Sequence, residues 1–240
     1  MSTYKSRCMG SETIAEGTQA FHFEKPADFL FQAGQAIDLV LPAAATRAEA
    51  AARHTFSLVS APAESRLTIA TRMRDSPFKR ALASLPAGAG VDLEGPFGNL
   101  TLHDDRRRPA CFIAGGIGIT PFLSMLRQAA HAQVAQRFIL IYSNRRPRDA
   151  AYLAELQRLA GQLADFRLLA TMTRSDRADA AWSGLTGPID GGLLASIAAG
   201  QPAPIYYIAG PPQFTMAMQE LLADSGVADD AIRSEDFYGY

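Results

Sequence analysis

A chain of 240 residues, 48% hydrophobic and 20% charged, has the composition of a folded globular protein, with length for one large core or two small ones, which excludes overall disorder. Its formal net charge of -1 provides no basic field to gather nucleic acid or coat an anionic membrane, so small molecules or proteins are the expected partners. Cys8 and Cys111 form no CxxC and fall short of the about four thiolates of an iron–sulfur cluster, and the histidines show no ligand spacing, so no metal is expected.

The N-terminus, MSTYKSRCMGSETIAEG, lacks the apolar core of a signal peptide, and no later run reaches the roughly 18 apolar residues of a membrane span, so a cytoplasmic chain is the expectation. Up to about His103, short strands alternate with turn residues, over 4–14, 19–24, 36–41, 54–60, 67–73 and 91–94. That rhythm predicts a small antiparallel barrel. The alanine-rich stretch 43–52 reads as a mobile loop. A helix is predicted over 78–85, after Asp75-Ser76-Pro77, where a capping residue precedes a proline; its first turn offers free N–H groups to an anion.

The mixed-charge run from His103 to Pro109 marks a boundary, giving expected domains of 1–105 and 106–240. Beyond it, apolar strands at 110–114, 138–143, 166–171 and 205–209 alternate with helices around 121–130, 148–159 and 212–225, the pattern of a parallel α/β sheet. A last strand is expected over 231–237. The strongest local signal runs from Cys111 to Pro121, a buried strand entering Gly115-Gly116-Ile117-Gly118 and then a helix. Glycines let a backbone approach a ligand, and a helix start favours a diphosphate, although a bare glycine cluster serves equally well as a tight turn. A second turn, Ala209-Gly210-Pro211-Pro212, ends a later strand of the same sheet, and open α/β sheets bind ligands at that edge. Between the two, Asn144, Arg145 and Arg146 follow a strand where a dinucleotide's adenosine ribose would lie; the arginines either pair with a 2′-phosphate or belong to a solvated loop.

These residues resemble the ferredoxin–NADP reductase superfamily, in particular its single-chain bacterial members, over nearly the whole chain. The family's Arg-x-Tyr/Phe-Ser is similar to His54-Thr55-Phe56-Ser57, and its Gly-Gly-x-Gly-x-Thr-Pro to the run from Gly115 to Pro121. Its Cys/Ala-Gly-Pro-Pro resembles Ala209 to Pro212, and its terminal Glu-x-Phe resembles Glu235-Asp236-Phe237. The resemblance implies a flavin-binding antiparallel barrel followed by a parallel-sheet nucleotide-binding domain, with FAD and NAD(P)H as cofactors.

By resemblance, Phe56 stacks on the flavin, Ser57 hydrogen-bonds near its N5, and Thr71, Arg72 and Met73 line the FAD. Ser76, Pro77 and Phe78 hold the FAD diphosphate. Gly115, Gly116, Thr120 and Pro121 take the nicotinamide diphosphate, Gly210, Pro211 and Pro212 shape the nicotinamide channel, and Glu235 and Phe237 reach the flavin face. Ser57, Glu235 and Phe237 are thus the catalytic candidates. Two departures stand out: His54 replaces the arginine and lacks a guanidinium's permanent charge and bidentate fork, and Ala209 leaves no thiol where some relatives carry one.

The leading expectation is an NAD(P)H-dependent FAD reductase, a monomer that passes electrons to a separate acceptor protein or small molecule. A non-catalytic flavin-binding subunit, and a reductase that releases its flavin, are the alternatives.

Overall fold

The computed structural model describes residues 2–42, 53–174, 181–200 and 202–238; the stretch expected to be a mobile loop, and the terminal Gly239 and Tyr240, lie outside the described residues. In the first half, strand β1 (Ser2–Ala15) turns at Gly17, φ +64°, into β2 (Thr18–Glu24). Strands β3 (Ala36–Val40), β4 (Arg53–Ser57), β5 (Arg66–Arg72) and β6 (Gly90–Phe97) complete an antiparallel sheet in the order β4-β3-β6-β1-β2-β5.

The sheet is predicted to extend β4 to residue 60, but the chain changes partner after Ser57. The Leu58 N–H donates to the Gln35 carbonyl at 3.0 Å, and the Val59 N–H to the Thr68 carbonyl at 2.8 Å. That corner carries the sheet from its β4 edge to its β5 edge, closing the barrel around Phe21, Ile37, Leu39, Phe56 and Leu93. Helix α1 (Pro77–Ala83) begins one residue before its predicted start because Ser76 caps it, accepting from the Lys79 N–H at 3.2 Å. It ends short of Leu85, whose helical conformation is disfavoured by the following Pro86.

The second half alternates β7 (Ala110–Gly115), α2 (Ile119–His131), β8 (Phe138–Asn144), α3 (Leu153–Gln162), β9 (Phe166–Met172), β10 (Leu185–Thr186), α4 (Gly191–Ala198), β11 (Ile205–Gly210), α5 (Pro212–Asp224) and β12 (Ile232–Asp236). Its strands pair in parallel in the order β10-β9-β8-β7-β11-β12. Alternate residues of β7 feed opposite faces: Phe112 and Ala114 pack under α2 and α3, whereas Cys111 and Ile113 pack under α4 and α5. Helix α3 starts five residues later than predicted, because Pro147 opens a short 3-10 turn and Tyr152 takes a left-handed φ of 60°. Helix α4 escapes the sequence reading, since Gly191 and Gly192 weaken its first turn; the signal is Asp190, whose side chain accepts from the Leu193 N–H at 2.8 Å.

The order of strands reverses between β7 and β11, so a crevice opens at their carboxyl ends. The barrel is fastened beside it. Ala20 and Ala70 from β2 and β5 join the core under α2, and Ser124 donates to the Ser60 carbonyl at 2.7 Å. Arg127 forks onto Glu155 at 2.7 and 2.9 Å and reaches Glu64 of the barrel at 3.3 Å. Among the described residues no helix is long and apolar enough to cross a membrane.

Candidate functional site

Between β4 and the end of β12 lies a cavity of about 520 Å³, with His54, Thr55 and Ser57 on the barrel side and Glu235, Phe237 and Tyr238 on the sheet side. The Ser57 hydroxyl is buried and has no hydrogen-bond partner among the described residues. An orphaned hydroxyl costs about 1–3 kcal/mol, so its place at this cavity suits a polar ligand atom such as a flavin ring nitrogen.

His54 lies on Phe56, ring centroids 4.8 Å apart, and Phe78 completes a triangle at 5.4 Å from His54 and 5.9 Å from Phe56. The imidazole therefore stands against Phe78 in the first turn of α1. Phe56 is 2% exposed and packs into the barrel core beneath that imidazole. At the end of β5, Thr71 is buried with its hydroxyl donating to the Arg72 carbonyl at 3.3 Å, and the Met73 N–H donates to the Gly17 carbonyl at 2.7 Å. Lys79 is buried one turn into α1; desolvation, then the neighbouring Arg74, lower its pKa.

On the crevice side each glycine has its own reason. A Cβ on Gly118 would lie 2.1 Å from the Ala209 carbonyl oxygen, and one on Gly115 would lie 2.7 Å from the Phe214 ring. Gly210 faces the same ring at 2.9 Å, so Phe214, which the sequence reading passed over, is the floor under both glycine turns. Gly116 differs: its φ is +56° and a Cβ there would meet nothing within 4 Å. That is the cradle a ligand backbone needs, open space against a left-handed residue. Thr120 and Pro121 are buried in the first turn of α2, with the Thr120 hydroxyl donating to the Ile117 carbonyl at 3.1 Å, while Pro211 and Pro212 open α5.

Asn144 ends β8 at this edge, 5% exposed, and neither side-chain amide atom makes a hydrogen bond of ordinary geometry among the described residues. Arg145 is exposed beyond it, and its carbonyl accepts from the Arg174 N–H at 2.8 Å; Arg146 is half-buried. Both follow the end of β8, the parallel neighbour of β7, which runs into the Gly115–Gly118 turn.

β12 delivers the remaining residues. Burial pushes the Glu235 carboxyl up to about 7. The Phe237 N–H donates to the Gly210 carbonyl at 2.8 Å, joining the last residues to the Gly210–Pro212 turn, and its ring is buried. Asp236 accepts from the Thr215 hydroxyl and, at 3.2 Å, from Tyr238. Asp38, which accepts from Thr55 and Arg53, also lines the cavity and carries no motif of its own. Cys111 is fully buried and its thiol is pushed up to about 12, so it supplies no nucleophile. Among the described residues no cluster of three or more His, Cys, Asp or Glu is arranged to hold a metal ion.

Residues 112–220 match the model of the family described as the oxidoreductase NAD-binding domain. The chain is 31% identical over 229 residues to ferredoxin–NADP reductase B of Sorangium cellulosum, covering 91% of this chain and 90% of that one. It is 25% identical over 230 residues to the glycine betaine monooxygenase reductase subunit of Chromohalobacter salexigens, covering 94% of this chain and 61% of that longer protein. Its fold superposes on the crystal structure of a ferredoxin NADP+ reductase from Neisseria gonorrhoeae with bound FAD and NADP, with a TM-score of 0.81, 23% identity and 98% of both chains covered.

Proposed function

The chain belongs to the ferredoxin–NADP reductase superfamily, and we propose that it works as an NAD(P)H-dependent FAD reductase, with 1–105 as the flavin-binding domain and 106–240 as the nicotinamide domain. The observation that carries this reading is the meeting of Ser57 from the barrel with Glu235 and Phe237 from β12 at one cavity. FAD bound there would supply the redox chemistry, accepting hydride from NAD(P)H and releasing electrons singly or in pairs.

The chain's own residues bind and orient. Ser57, whose buried hydroxyl has no partner among the described residues, hydrogen-bonds the ring system, and Phe56 supports β4 from the barrel core behind it. Thr55, Thr71, Arg72 and Met73 line the cofactor along the barrel. Ser76, Pro77 and Phe78, with His54 beside them, take the flavin diphosphate. Gly115, Gly116, Thr120 and Pro121 let the nicotinamide diphosphate approach the start of α2, and Asn144, Arg145 and Arg146 contact its adenosine half. Gly210, Pro211 and Pro212 border the nicotinamide. Glu235, whose carboxyl burial raises to about 7, presents a group that can donate or accept a hydrogen bond beside the reacting rings. Positioning of this kind is the protein's main contribution, because a hydride moves only between atoms held near contact.

The electrons then pass to a separate carrier protein or small-molecule acceptor. The relatives named as reductase subunits of monooxygenases support an acceptor on another chain. The proposed working form is a cytoplasmic monomer, where reduced nicotinamide is available. Extraction and chromatography of the bound flavin, followed by reconstitution with FAD or FMN, test the cofactor assignment. FAD as the extracted flavin supports it; FMN alone, with no FAD binding, contradicts it.

A further inference from the structure

Strand β12 has five residues and lies at the sheet edge, with β11 as its one sheet neighbour among the described residues. An edge strand paired on one side only depends on further contacts to fix its position. Side chains of β12 alternate. Glu235 faces the cavity and Phe237 packs against the barrel-side core, while Ser234 and Asp236 bond to α5, Asp236 at the cavity's edge.

Two contacts meet them there. The Thr215 hydroxyl, 1% exposed, donates to the Asp236 carboxylate, and the Gln219 amide donates to the Ser234 hydroxyl at 2.7 Å. Thr215 also lies 2.9 Å from the Pro212 carbonyl, but a hydroxyl carries one proton and the carboxylate is the stronger acceptor. The spacing is matched. Four residues along a helix advance about 6 Å and two along a strand about 6.6 Å, so the two contacts are level rungs between antiparallel elements. A third bond, from the Tyr238 hydroxyl to the other Asp236 oxygen at 3.2 Å, restrains the residue beyond the strand.

We propose that this Thr215–Asp236 and Gln219–Ser234 ladder aims the C-terminal strand at the redox cavity, making Asp236 a positioning residue for hydride transfer. The proposal rests on the reading of that cavity as the redox site. Because Phe237 is bonded to Gly210 and Asp236 to the first turn of α5, the nicotinamide turn and the cavity wall move as one body. Cutting the rungs lets Glu235 and Phe237 drift while FAD, held by the barrel, stays bound.

The test uses the FAD-loaded full chain, mixed anaerobically with NADPH and with NADH, following flavin bleaching in stopped flow. Thr215→Val keeps the side-chain shape and removes the donor; Thr215→Ser restores it. Gln219→Met cuts the second rung at an exposed site and carries the test if the buried variant does not fold. Thr215→Val is expected to slow flavin reduction about tenfold, in keeping with the steep cost of misplaced reacting groups. Flavin content and dinucleotide affinity should stay within about twofold, Thr215→Ser should recover most of the rate, and a deuterium isotope effect from 4-deuterated NADPH should remain. Wild-type rates in Thr215→Val and Gln219→Met, or equal loss in Thr215→Ser and Thr215→Val, would overturn the ladder. A wild-type flavin that neither nucleotide reduces would instead overturn the redox reading beneath it.

Discussion

Gly118 stands so close to Ala209 that a single added methyl group would lie 2.1 Å from its carbonyl oxygen, which ties the glycine turn after β7 to the end of β11. Gly118→Ala should therefore force the two strand ends apart and destabilise the fold by about 1–3 kcal/mol, as overpacking does elsewhere. Gly116→Ala is different in kind. Its left-handed φ costs about 1 kcal/mol, but its surroundings are open, so the fold should survive and NAD(P)H binding should weaken. Denaturant melts and dinucleotide titrations of the two variants separate these losses; equal dinucleotide affinity in Gly116→Ala and wild type would remove Gly116 from the binding surface.

His54 offers a more pointed test. Its ring lies over Phe56 and beside Phe78 at the start of α1, where the superfamily pattern has an arginine. His54→Arg should tighten FAD by roughly 1–3 kcal/mol, the scale of one charge-assisted hydrogen bond. Equilibrium FAD titration measures it. An unchanged affinity would mean that another cation, such as Arg72 or Arg74, already serves the diphosphate.

If Arg145 and Arg146 read the 2′-phosphate that only NADPH carries, replacing both with Ala should weaken NADPH use and spare NADH. The kcat/KM ratio for the two nucleotides is the readout. Equal losses for both would assign the arginines to general attraction.

Much of this was legible because strand alternation and turn residues survive in local sequence. The barrel strands, the glycine turn and the Glu235-Asp236-Phe237 end could all be read one segment at a time. The placement of Glu235 against Ser57 was reached only through the family resemblance, since it depends on how β12 pairs with β11 and on how α2 docks through Arg127 and Ser124 onto the barrel. Phe214 and Asp236 were missed for the same reason. Each acts across a packing interface, on Gly115 and Gly210 in the first case and on Thr215 in the second. Helix α4 was hidden by its own Gly191-Gly192 start.

Glu235 carries a pH signature. Its carboxyl ordinarily titrates at 4.5, and burial raises it to about 7 in the folded, flavin-free chain. Below 4.5 both folded and unfolded chains hold the proton and no penalty exists. As pH rises toward 7 the unfolded chain releases it first, so folding stability falls relative to Glu235→Gln, by about 3 kcal/mol once pH has passed through 7. Urea melts of both proteins across that range check the sign. Parallel stability curves would show that Glu235 titrates in the folded chain as it does in solvent.

The central claim is that the sheet presents a nicotinamide to a flavin held by the barrel, and anaerobic titration of the FAD-loaded protein with NADPH and NADH tests it most directly. A hydride carries both electrons, so the visible flavin band should bleach fully at one dinucleotide per flavin with at least one of the two, and reappear when an electron acceptor is admitted. A flavin that stays oxidised in excess of both nucleotides would contradict the account and leave the chain a flavin-binding protein without the hydride step.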